Sequence, residues 1–277
     1  IIDPMTLVVT ISQSDETADT LMAIRHAREQ GAKVIAICNT NGATIPRESD
    51  AVIYTHAGPE IGVASTKGFL TQVVACYLLG LYLAQVRGMK YGDEVRAIMT
   101  ELESMSEKIQ QVLDGIEPVH ELARQMARKD GAVFFLGRHV GYPVALEGAL
   151  KLKEIAYMHA EGFAAGELKH GPIAVIEQDT PVFVIVPPAG RDQLHDKVVS
   201  NIQEIRARGA RTIVLAEQGD ETVRSFADTL VALPRCSTLL QPLVATVPLQ
   251  AFACELATAL GHDVDQPRNL AKSVTVE

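Results

Sequence analysis

Residues 7–20 read LVVTISQSDETADT, and this stretch decides the fold. Leu7 to Ile11 is an apolar, β-branched run of strand length. It stops at the small polar cluster Ser12-Gln13-Ser14-Asp15-Glu16-Thr17, and Leu21, Ile24 and Ala27 then recur at helical spacing. The reading is strand, polar loop, amphipathic helix. A helix start rimmed by hydroxyls presents free backbone N–H groups and the positive end of the helix dipole, which suits a phosphate. The competing reading is that Ser14 or Thr17 merely caps the helix.

Working outward, the same layout recurs. LVVTIS…LMAIRHAREQGAKVIAIC parallels PVFVIVPPAG…VSNIQEIRARGARTIVLAE, and GPEIGVASTKGFLTQVVACYLLGLYLA parallels TLLQPLVATVPLQAFACELATALG. Gly31 and Gly209 fall just past their helices, where a left-handed residue ends a helix before a strand. Strands alternating with helices predict an α/β protein with parallel sheets and helices on both faces. The block 132–176 precedes the second copy and has no counterpart before Ile1. The first copy is therefore expected to lack its opening elements, and a chain starting at Ile1 with a core strand is expected to be a fragment. The expected division is a first domain over 1–90, a second over 91–261 led by a helical connector, and a tail over 262–277.

The bulk numbers agree with a folded, two-domain chain: 277 residues, 47% hydrophobic and 21% charged. A net charge of −9 without a basic stripe argues against nucleic acid or an acidic membrane as partner. Cys38, Cys76, Cys236 and Cys254 form no C-x-x-C pair and read as reduced core residues of a cytoplasmic protein. The apolar run Val73 to Val86 predicts a buried helix rather than a membrane span. No P-loop, G-x-G-x-x-G or G-x-S-x-G is present, and the spacing of His159, Glu161, Glu167 and His170 fits no zinc pattern.

Four stretches together resemble a known family: SQSDET, NGATIPRESDAVIYTHAGPEIGVASTK, ALEGALKLKEIAYMHAEGFAAGELKHGP and the terminal DQPRNLAKSVTVE. They are similar to the C-terminal isomerase half of the glutamine–fructose-6-phosphate aminotransferases, or glucosamine-6-phosphate synthases. That half is built from two sugar-isomerase (SIS) domains, each a parallel sheet between helix layers. The resemblance implies that fructose 6-phosphate is converted to glucosamine 6-phosphate when ammonia is supplied, without metal or other cofactor. It also implies a homodimer, with a glutaminase domain outside this chain as the ammonia source. One departure is Asp15, where the family usually has Gly. A carboxylate there would repel a phosphate unless it pointed to solvent, and a positive φ would be costly.

The chemistry needs a phosphate anchor, a ring opener, a carbonyl activator and a base working between C1 and C2. For the anchor, the resemblance implies Ser12, Gln13, Ser14 and Thr17, with Val63, Ser65 and Ala271 as further substrate contacts; a plain helix start is the other reading of Val63 and Ser65. Glu147, Lys151 and Glu154 share one face of a helix expected over Tyr142 to Ala156. By spacing alone they read as a solvated salt-bridge row, while Leu146, Leu150 and Ile155 read as the core side. The resemblance makes Glu154 the enolisation base and Lys151 its assistant. It makes His170 the ring opener, reaching into a neighbouring subunit, and Lys272 the Schiff-base lysine on a mobile tail. Asp265, Gln266, Arg268 and Asn269 are expected to seat that tail. A non-catalytic sugar-phosphate sensor is the alternative from another class, and a different sugar-amine isomerase of the same fold is a third. A sensor would need the anchor but neither base nor lysine.

Overall fold

The computed structural model describes residues 2–127, 131–190 and 193–273. Packing divides the chain into two units: residues up to Ala97 together with those from Asp265 onward, and residues Ile98–Val264. The division falls inside a helix a few residues beyond position 90, and the segment from Asp265 belongs with the first unit rather than standing apart.

In the first unit, β1 (Leu7–Ile11), β2 (Lys33–Cys38) and β3 (Ala51–Tyr54) form a parallel sheet in that order. The register pairs Val9 with Ile35 and Ile37 with Ile53. α1 (Ala18–Glu29) and α2 (Thr44–Glu48) close one face, where Ile24, Ala27, Val34, Ala36, Cys38 and Ile45 form a sealed core. Gly31 takes φ +82° immediately after α1, the left-handed step a side chain would resist. α3 (Lys67–Val86) meets the other face through β2. The expectation of a buried helix fails here. Only Gly68, Ala75 and Leu79 of α3 are buried, while Leu78, Tyr82 and Val86 are exposed. Among the strands α3 packs chiefly on β2, and much of its apolar surface is left partly or wholly uncovered. α3 is long and apolar enough to cross a membrane by length and composition, as is the last helix of the second unit, which is mostly buried.

α4 (Gly92–Glu103) spans the division, followed in the second unit by α5 (Met105–Asp114) and α6 (Glu117–Met126). The strands β4 (Val133–Gly137), β5 (Ala160–Ala164), β6 (Pro181–Ile185), β7 (Arg211–Glu217) and β8 (Thr229–Leu233) form a parallel sheet in the order β5-β4-β6-β7-β8. Alternate residues serve opposite faces. Phe134, Leu136, Val182, Val184 and Val214 meet Val198, Ile202 and Ile205 of α8 (Leu194–Arg206), beside the short α9 (Glu221–Arg224). On the other face Phe135 stacks on Phe183 at 4.8 Å, and Phe183 meets Phe252 edge-on at 4.8 Å. Phe252 lies on α10 (Gln241–Ala259), which packs with α5, α6 and α7 (Gly141–Lys151). This is a three-layer αβα unit. Gly209 repeats the left-handed step of Gly31, with φ +88°. Cys38 and Cys236 are buried free thiols as expected, Cys76 is half-buried, and Cys254 is exposed on α10 rather than in the core.

The helix expected over Tyr142–Ala156 is α-helical only to Lys151. A π-turn, Leu152–Ala156, carries Glu154 and ends at Tyr157 in the left-handed region, φ +56°. Single π-turns mark functional sites often enough to draw attention to this one.

Candidate active site

The loop Ser12–Thr17 leaves the C-terminal end of β1, where parallel sheets place their ligands. Ser12 is buried; its N–H donates to the Ile37 carbonyl at 3.0 Å, and its Oγ accepts the Asp15 N–H at 3.0 Å. Thr17 occupies the N-cap of α1, yet its side chain makes no capping hydrogen bond. The Ser14 and Thr17 hydroxyls lie 3.3 Å apart. The capping explanation for these hydroxyls therefore fails at Thr17, whose side chain accepts no N–H of the helix start.

Asp15 takes the costly backbone conformation but does not turn its carboxylate to solvent. Its φ is +62°, the strained region that glycine occupies freely, and its side chain is fully buried rather than pointing to solvent. The carboxylate accepts the N–H groups of Asn39 at 2.9 Å and Thr40 at 2.5 Å, and Glu16 accepts the Thr44 N–H at 2.7 Å. Both acids thus fasten the loop to the turn after β2. Burial pushes the Asp15 carboxyl up, against the lowering effect of its bonds from Thr40, Cys38 and Asn39. The neighbouring Cys38 thiol is pushed well up, chiefly by burial and then by the charge of Asp15.

Across the same unit, the segment Glu60–Gly68 leads into α3. A methyl group built on Gly68 would sit 2.7 Å from both Gln13 Oε1 and Glu60 Oε2 and 2.8 Å from Ser65 Oγ. The anchor loop, the second loop and an acid therefore converge on one point. Lys272 joins them: its Nζ donates to Glu60 Oε2 at 3.0 Å and to the Gly62 carbonyl at 2.7 Å. In the terminal segment the Asp265 carbonyl accepts the Val63 N–H at 2.9 Å, and Asn269 turns with φ +63°. Ala271 is exposed beside Lys272. The last four residues of the DQPRNLAKSVTVE stretch lie outside the described residues.

In the second unit, Lys151 is buried, with Nζ 2.5 Å from Glu154 Oε2 and 3.5 Å from Glu147 Oε1. Gln250 of α10 donates to Glu147 Oε1 at 3.3 Å. Burial pushes the Glu147 carboxyl up, with Lys151 and Gln250 opposing. The row is not solvated, and on α7 its polarity is the reverse of the expected one: Glu147 and Lys151 face inward while Leu146 and Leu150 are 43% and 42% exposed; Ile155, beyond α7, is buried as expected. The cause is size. Gly148 has Phe135 and Leu249 within 3 Å of where a methyl would lie, so small residues press α7 onto the sheet and its charged face lies against α10. His170 is exposed on a 3₁₀ turn, Leu168–His170, followed by Gly171 at φ +131°. The structure thus brings Ser12, Gln13, Ser14, Thr17, Val63, Ser65 and Lys272 into one unit and Lys151 with Glu154 into the other, with His170 on a separate turn there.

Glu60 is not among the residues the sequence singles out. Its signal is an acid shortly before a helix start, in GPEIGVASTK, where such residues meet free N–H groups. Gln250, hidden in an apolar helix, carries no local signal at all.

Comparison with known proteins gives a consistent result. The SIS domain profile matches residues 1–82 and 125–260. The glutamine–fructose-6-phosphate aminotransferase [isomerizing] of Streptomyces coelicolor is 73% identical over all of this chain, which spans 45% of that protein. The protein of the same name from Mycobacterium tuberculosis is 66% identical, again over the whole chain and 44% of its own length. The chain thus spans less than half of the relatives it matches. A solved C-terminal domain of glucosamine-fructose-6-phosphate aminotransferase from Francisella tularensis superposes with a TM-score of 0.87 at 38% identity, covering 94% of this chain and 72% of that one.

Proposed function

The chain belongs to the SIS domain family, and we propose that it is the isomerase portion of a glutamine–fructose-6-phosphate aminotransferase, acting on fructose 6-phosphate. The observation that carries this reading is the meeting of an anion-ready loop, Ser12–Thr17, with a lysine held at 2.7 Å from the Gly62 carbonyl in the same unit. A sensor has use for the loop but not for the lysine.

In this reading Ser12, Gln13, Ser14 and Thr17 anchor the phosphate, and Val63, Ser65 and Ala271 border the sugar. His170 protonates the ring oxygen and accepts a hydroxyl proton, opening the hexose. Lys272 condenses with the C2 ketone, expelling water and leaving an iminium that acidifies C1–H. Glu154 takes a proton from C1 and, after exchange with solvent, delivers one at C2, the bonding electrons moving toward C2 and back. Lys151, 2.5 Å from Glu154, balances its charge in the buried state. Ammonia from a glutaminase domain displaces Lys272 from C2 by transimination before the proton shift, so the free amine stays on C2 and the product is glucosamine 6-phosphate. Without ammonia, water hydrolyses the imine, Lys272 leaves as the amine, and the same proton shift on the freed ketone gives glucose 6-phosphate. We further read the active form as a cytoplasmic homodimer sharing His170 between subunits, supported by the exposure of that histidine.

The test is conversion of fructose 6-phosphate in deuterated water. The reading expects glucose 6-phosphate carrying solvent deuterium at C2, and a loss of at least about a hundredfold in Glu154→Gln. Tight binding of fructose 6-phosphate with no exchange in the unaltered chain would favour the sensor.

A further inference from the structure

Glu60 stands at the centre of the first unit's polar cluster, and nothing in the reaction outlined above uses it. Its side chain is only 6% exposed. It accepts the Thr66 N–H at 2.9 Å, the Gly68 N–H at 3.0 Å, the Ser65 hydroxyl at 3.1 Å and the Lys272 ammonium at 3.0 Å. Two of these donors are the backbone N–H groups that open α3. A third belongs to the loop expected to border the sugar, and the fourth is the lysine expected to react. A surface ion pair would not be built this way: one carboxylate collects both the loop and the lysine, and Gln13 of the anchor loop reaches the same point beside Gly68.

We propose that Glu60 is the positioning residue for Lys272, holding its nitrogen beside the sugar loop and serving as counter-ion to the positive charge before and after the imine forms. The proposal rests on Lys272 being the Schiff-base lysine. The charge balance explains why a fixed anion fits. Condensation takes R–NH₃⁺ and O=C to R–NH⁺=C and H₂O: a C–N bond forms, the C–O bond breaks, and two of the three ammonium protons leave with oxygen as water. One positive charge is present on each side. A carboxylate that keeps its own charge neutralises both states without rearranging, and rearrangement is what preorganised sites avoid. Burial alone would raise the Glu60 carboxyl, but the N–H groups of Thr66 and Gly68 and then Lys272 outweigh it and hold the carboxyl below its ordinary range. The group is therefore built to stay ionised.

The experiment compares the unaltered chain with Glu60→Gln, Glu60→Asp and Lys272→Ala. Two quantities are read: the dissociation constant for fructose 6-phosphate, and the rate of borohydride-trapped adduct at saturating sugar. A third needs no sugar: the rate at which acetic anhydride labels Lys272 relative to the other lysines, by peptide mass spectrometry. Glu60→Gln should trap adduct about tenfold more slowly, the scale of one lost charge-assisted hydrogen bond. Its dissociation constant should stay within about twofold, and Lys272 should label several-fold faster once released from its partner. Glu60→Asp should recover part of the trapping rate. Equal trapping and labelling in Glu60→Gln and the unaltered chain would overturn the proposal. Loss of binding and trapping together would also overturn it, assigning Glu60 to loop structure alone. Failure of the underlying reading is distinguishable, since adduct would then persist in Lys272→Ala.

Discussion

Replacing Lys151 by Met keeps the length and apolar stem of the side chain and removes only its charge. In the folded unit that charge stands 2.5 Å from Glu154 and 3.5 Å from Glu147, with side-chain exposures of 4% for Lys151, 6% for Glu147 and 23% for Glu154. Taking away one member of a buried ionic group leaves uncompensated charge behind, a change worth about 3 kcal/mol. For a unit the size of residues 98–264, each kcal/mol moves the midpoint by about 2–4 °C, so the loss should be about 6–12 °C. The sign with pH follows from Glu147, whose carboxyl is already pushed up by burial and loses the lysine that opposed it. As pH falls through that raised value, the variant takes up a proton and sheds one buried charge. Its deficit should therefore be smaller at pH 5 than at pH 7.5. Calorimetry on both proteins at both pH values is sufficient. A deficit equal at the two pH values, or below about 1 kcal/mol at pH 7.5, would refute the description of this triad as buried and mutually dependent.

Three further outcomes follow from particular contacts. Asp15→Asn keeps an oxygen acceptor for Asn39 and Thr40, tolerates φ +62°, and removes a buried charge. Because burial raises the Asp15 carboxyl, the gain of about 1 kcal/mol should be present at pH 7 and shrink as pH falls through that raised value; thermal melts at pH 7 and in acid check it. Gly137→Ala should cost more than about 3 kcal/mol and yield insoluble protein on expression, because the new methyl collides with the Gly141 carbonyl and neither backbone can move aside. Gly80→Ala, in α3 with nothing within 4 Å of the added methyl, should instead stabilise by about 0.5–1 kcal/mol in urea denaturation.

Much of the architecture is legible in the sequence because it depends on local rules. Leu7–Ile11 ends where a polar cluster begins, Gly31 and Gly209 end their helices, and the repeated strand–loop–helix–strand units fold as two parallel sheets. What escapes is set by partners far along the chain. The direction of Asp15 is fixed by Asn39 and Thr40, over twenty residues away. The inverted polarity of α7 comes from Gly148 against Phe135 and Leu249, whereas a count of leucines points Leu146 and Leu150 inward. The exposure of α3 reflects what covers the sheet, which no run of apolar residues encodes. Of the site, the loop Ser12–Thr17 and the pair Lys151–Glu154 follow from spacing plus family resemblance. Glu60 and Gln250 emerge only when the loops and helices are assembled, since each earns its place by contacts with other segments.

The central claim is that Lys272 forms an imine with the open-chain sugar. The most direct measurement is incubation with fructose 6-phosphate and borohydride, followed by peptide mapping of the adduct. A reduced hexose phosphate on Lys272, absent from Lys272→Ala, is the predicted result. No adduct at saturating sugar, or one on a different lysine that survives Lys272→Ala, would contradict it.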